Sequence, residues 1–91
     1  MTRDNRPFNG VLEDADNIIN GVRQDQYGKP EDSFDKIADY WSAYLEHRVS
    51  PHDVAMMMIL LKVGRIQDKA THDTLVDICG YAAIGSTLHP E

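Results

Sequence analysis

Ninety-one residues, 42% hydrophobic and 26% charged, fit one ordinary globular domain with a single modest core, and exclude both a disordered tail and a membrane protein. Nine basic residues against fifteen acidic ones leave a net charge of −6, and no Lys/Arg stripe is present. That balance excludes the usual electrostatics of a DNA reader but leaves a small anionic ligand open. The longest apolar run, Val54 to Leu61, is far short of the roughly 20 residues that span a membrane. The polar start without an apolar targeting segment, and the lone Cys79 in an apolar setting that suggests burial, point to a cytoplasmic protein.

In chain order, residues 1–9 are polar, carry Pro7 and form an N-terminal arm to a single helical domain over 1–91. From Val11, the apolar positions Leu12, Ala15, Ile18, Ile19 and Val22 follow a spacing of three and four, predicting a first helix that Gly28 and Pro30 stop. A second helix is predicted over Glu31–His47, with Phe34, Ile37, Ala38, Trp41, Tyr44 and Leu45 as its stripe. Ser50, Pro51 and Asp53 start a third, which runs to about Lys69 and is apolar almost all round, as in a central or interface helix. Thr71 caps a fourth, His72–Leu88. Gly64, Gly80 and Gly85 fall inside these helices at a cost of about 1 kcal/mol each relative to alanine, which close helix contact or a ligand pressed against the backbone would justify. Strand-like alternation is absent. The expected fold is all-α, a small four-helix bundle, and the apolar surplus of helices three and four predicts a homo-oligomer.

The informative residues are charges set in apolar helix. Lys62 and Arg65 share a face of the third helix; Asp73, Asp77 and Tyr81 follow one another at intervals of four on the fourth. Antiparallel packing lets them meet. In the plain reading Arg65 and Asp77 form a structural ion pair. In the sharper one Lys62 and Arg65 clamp a phosphate while Asp77 orients Arg65. Arg23 and Tyr27, at the end of the first helix, add a cation and a ring that can stack on a base, although Tyr27-Gly28 is also ordinary helix-stop chemistry. Trp41 belongs to the core on this pattern; Tyr44 is open. His47, His52, His72 and His89 lack zinc-site spacing, whereas Asp73 and Asp77 could share Mg²⁺.

Taken together, Tyr27-Gly28, Trp41 to Leu45, Ser50 to Ala55, Leu61 to Arg65 and Asp73 to Ala82 resemble a small phage and prophage family of unknown function, over about Val11 to Leu88. More distantly, the tyrosine-glycine turn, the Lys62/Arg65 helix and the Asp73/Asp77/Tyr81 helix are similar to phage nucleotide-modification-associated domains and to MazG-type all-α nucleoside triphosphate pyrophosphohydrolases. The MazG likeness implies Mg²⁺ held by acidic residues of two helices. Asp73 and Asp77 match its second acidic motif; Lys62 and Arg65 stand where the first would be, with Glu13 and Asp14 as possible substitutes.

The leading expectation is therefore a homo-oligomer in the host cytoplasm binding or sequestering a phosphorylated nucleotide-like ligand. Arg23, Lys62 and Arg65 would hold phosphate, Tyr27 and Tyr81 would contact the ligand, and Asp77 with Asp73 would orient the cations. No membrane, DNA or cofactor is expected. One alternative is a Mg²⁺-dependent nucleotide pyrophosphohydrolase using Asp73, Asp77 and a first-helix acid. The other is a structural or host-partner-binding protein without a small ligand.

Overall fold

The computed structural model describes residues 7–22, 25, 26 and 28–89. Helix α1 spans Asn9–Asn17 and passes into a π-helical turn, Ile18–Val22; α2 spans Pro30–Leu45, α3 Pro51–Gly64 and α4 His72–Gly85. Among the described residues there is no strand, so the all-α, four-helix expectation holds. Asn9, assigned to the arm, is already helical. Among the described residues, no helix is long and apolar enough to cross a membrane.

Local chemistry accounts for most of the helix starts. Pro30 stands at the first position of α2, followed by Glu31 and Asp32 at its positive dipole end. At α3, the Ser50 hydroxyl accepts from the Asp53 N–H, and an Asp53 carboxylate oxygen accepts from the Ser50 N–H, each at 3.0 Å. This reciprocal cap satisfies two otherwise orphaned donors. At α4, the Thr71 hydroxyl accepts from the Thr74 N–H. The Ser42 hydroxyl bridges the turn between α2 and α3, accepting from the Val49 N–H at 2.8 Å and donating to its carbonyl at 3.2 Å. Gly28, in the connection before α2, has φ +78°, a conformation that glycine adopts without a Cβ penalty.

The hydrogen bond from the Ser50 backbone draws the Asp53 carboxyl below its ordinary value of 3.8. A carboxylate depressed in the folded state contributes stability above its unfolded pKa and loses it as pH falls through the folded one. Asp53→Asn should therefore flatten the stability loss between about pH 5 and pH 2. Circular dichroism melts across that range would show it, and an unchanged slope would remove Asp53 from acid sensitivity.

Several ends differ from the sequence expectation. The first helix does not continue as an α-helix to the glycine turn but widens at Ile18. The third ends at Gly64, not near Lys69, because Arg65 caps it and the Ile66 N–H closes a tighter turn onto the Val63 carbonyl at 3.1 Å. The chain must reverse there to reach α4. The fourth ends at Gly85, where the hydroxyls of Ser86 and Thr87 donate to the Ala83 and Ile84 carbonyls.

The principal contacts run in the order α2–α3–α4–α1. Helices α3 and α4 are antiparallel, whereas α1 lies parallel to α4, with Asp14 near His72 and Ile19 near Gly80. Phe34 and Ala38 of α2, Val54 and Ala55 of α3, and Ile84 with Leu88 form the centre of the core. Trp41 is partly buried against it, as expected, while Tyr44 is 88% exposed and belongs to the surface. Cys79, expected inside, is half-buried. Two of the helical glycines mark close approaches: a Cβ at Gly85 would lie 3.2 Å from the Ala55 Cβ, and one at Gly80 3.2 Å from a methyl of Ile19. Gly64 meets nothing within 4 Å, so close packing within this chain does not explain it.

Candidate functional site

Lys62 lies in the last turn of α3 and Asp77 in the second turn of α4. Because the helices run antiparallel, these turns face each other, and Lys62 Nζ meets Asp77 Oδ2 at 3.0 Å. The two side chains are 22% and 40% exposed, so water reaches the pair and its net worth is roughly 0–1 kcal/mol. The expected Arg65–Asp77 ion pair does not form, since Lys62 occupies that place. The reason is where α3 stops. Arg65 is its cap residue, with its N–H donating to the Leu61 and Lys62 carbonyls, and its side chain is exposed with no ion pair among the described residues.

Asp73 is exposed in the first turn of α4, where it complements the dipole. Tyr81 is half-buried, its ring 6.4 Å from that of Phe34 at a tilt of 44°. It lines a cleft with Asp77, Ile18 and Ile19 whose cavity of about 20 Å³ admits roughly one water molecule. Arg23 and Tyr27 lie outside the described residues.

A contact that sequence reasoning missed joins α1 to α4: His72 Nε2 and Asp14 Oδ2 are 2.7 Å apart. Fifty-eight positions separate the two, and no local signal links them. The pairing also bears on the Mg²⁺ site implied by the MazG likeness. Asp77 faces Lys62, Asp14 faces His72, and among the described residues no three His, Cys, Asp or Glu groups converge to hold a metal. The residues present do not fit that site.

Residues 10–89 match the family described as a domain of unknown function, DUF6378. The chain belongs to this family. It is also similar to the gene 55 protein of Mycobacterium phage L5, 45% identical over 76 residues, covering 81% of this chain and 49% of the relative. The gene 55 protein of Mycobacterium phage D29 is 39% identical over 82 residues, covering 89% of this chain and 54% of the relative. The chain thus spans about half the length of the curated relatives it matches. No solved structure matches it significantly.

Proposed function

We propose that this DUF6378 chain is a phage-type helical protein that binds a phosphorylated, nucleotide-like ligand, acting as a homo-oligomer in the host cytoplasm. The observation that carries this reading is the exposed Arg65 guanidinium at the end of α3, which no carboxylate neutralises among the described residues, beside the solvent-reached Lys62–Asp77 pair. An unpaired planar fork next to an ammonium suits phosphate, which takes bidentate hydrogen bonds from arginine and a point charge from lysine. Asp77 orients Lys62 in this arrangement, Asp73 adds a further carboxylate, and Arg23, Tyr27 and Tyr81 complete the ligand contacts. The narrow cleft beside Tyr81 favours a ligand lying over the hairpin rather than inside the bundle.

The second reading, a structural or host-partner-binding protein, is favoured by apolar side chains left in water, Leu60 at 67% exposure among them. The two separate in one experiment. The protein is incubated with Mg²⁺ and a panel of linear and cyclic nucleotides, filtered, denatured, and both fractions are analysed by chromatography. A nucleotide retained and released intact is expected, with at least tenfold weaker retention by folded Arg65→Ala. Unaltered retention by that variant would remove Arg65 from the site, and passage of every nucleotide would put partner binding first. Conversion to a monophosphate and pyrophosphate would instead put the Mg²⁺-dependent pyrophosphohydrolase reading first.

A further inference from the structure

The structure leaves one helix apolar on both of its faces. Val54 and Ala55 of α3 are buried in the core, yet Met57, Leu60, Leu61 and Val63 are all exposed. Asp53, Met57, Leu60 and Gly64 lie four, three and four residues apart along the outer side, with Leu61 beside them. That spacing is the seam of a helix that packs on another helix. Gly64, with open space where a Cβ would stand, lets a second backbone come close at the end of the seam.

We propose that this outer stripe of α3 is where two copies of the chain associate, their α3 helices lying antiparallel about a two-fold axis between Met57 and Leu60. The inference rests on the homo-oligomer in the function proposed above and specifies the surface that forms it. Charge selects the direction. The stripe is uncharged between Asp53 at one end and Arg65 at the other, because Lys62 is turned to Asp77. Parallel pairing would set aspartate on aspartate and arginine on arginine. Antiparallel pairing puts Met57 against Leu60 of the partner subunit and each Asp53 near the Arg65 end of the other helix, with the helix dipoles also opposed. Such rim charges set orientation and leave the affinity to the apolar centre. Arg65 lies at the edge of this contact, where the partner's Asp53 and an anionic ligand would share its guanidinium.

The test is light scattering of the full chain from 5 to 200 µM, on wild type, Leu60→Glu and Arg65→Ala. Wild type is expected at twice 10.3 kDa, and Leu60→Glu at 10.3 kDa with its helical circular dichroism unchanged, since Leu60 is exposed. Arg65→Ala should remain dimeric. As a control on folding, Met57→Lys/Leu60→Lys and Met57→Glu/Leu60→Glu should each be monomeric and associate when mixed. A monomeric wild type overturns the oligomer altogether. A dimer that survives Leu60→Glu overturns this surface while leaving an oligomer in place, and ligand retention by Leu60→Glu reports on the site separately.

Discussion

Phe34→Ala is expected to lower the thermal midpoint by about 15–25 °C. Phe34 is the large side chain through which α2 reaches the core, and its ring also meets Tyr81 of α4. Truncating a buried phenylalanine costs about 3–5 kcal/mol, from lost transfer energy and the cavity left behind. A 91-residue domain holds only about 5–14 kcal/mol in total, so this one ring carries a large share. Phe34→Leu, which refills most of the space, should recover more than half of the loss. A scanning melt by circular dichroism decides it, and a shift under 5 °C for Phe34→Ala would mean that α2 is held elsewhere.

Gly85→Leu should be nearly as damaging, at about 2–3 kcal/mol. A Cβ at this position meets the Ala55 Cβ at 3.2 Å, and that methyl cannot turn aside because it is fixed to the backbone of a fully buried residue. Relief requires α3 and α4 to separate. Gly80 makes the informative contrast. Its added Cβ would meet a methyl of Ile19, also at 3.2 Å, but Ile19 is half-buried and has rotamers to choose from. Gly80→Ala should therefore be neutral or stabilising by up to about 1 kcal/mol, since alanine is the better helix former. Urea titrations of Gly85→Ala and Gly80→Ala would test the comparison, and equal losses would show that Cβ distance alone sets the cost.

The helices were legible because their beginnings are written locally. The Ser50/Asp53 pair and Thr71 each act within four residues of themselves, and the apolar spacing of Phe34, Ile37, Ala38 and Trp41 marks the inner face of α2 directly. The ends were not. Ile66 continues the apolar spacing past Gly64, and no proline interrupts it, so only the need to turn back toward α4 ends α3 there. The π turn at Ile18 likewise has no marker in residue type.

The candidate site divides along the same line. That a cation of α3 would meet an aspartate of α4 follows from antiparallel packing of two helices joined by a short connection. Which cation does so depends on where α3 stops, and the stop hands Asp77 to Lys62 and frees Arg65. The Asp14–His72 contact was beyond reach because it links α1 to α4 across 58 positions of sequence.

That last contact also orders the birth of the molecule. The chain leaves the ribosome from its N-terminus, yet α1 has its principal partner in α4, the last of these four helices to be made. A nine-residue helix is too short to persist alone in water, so α1 must wait as unstructured chain until His72 and the turns beyond it have emerged. The α2–α3 and α3–α4 hairpins close over short connections and can form first, whereas docking α1 closes a loop of nearly the whole domain. The first of the four helices to be synthesised is thus the last to find its place, and a nascent chain stalled before residue 72 would lack the surface on which α1 packs.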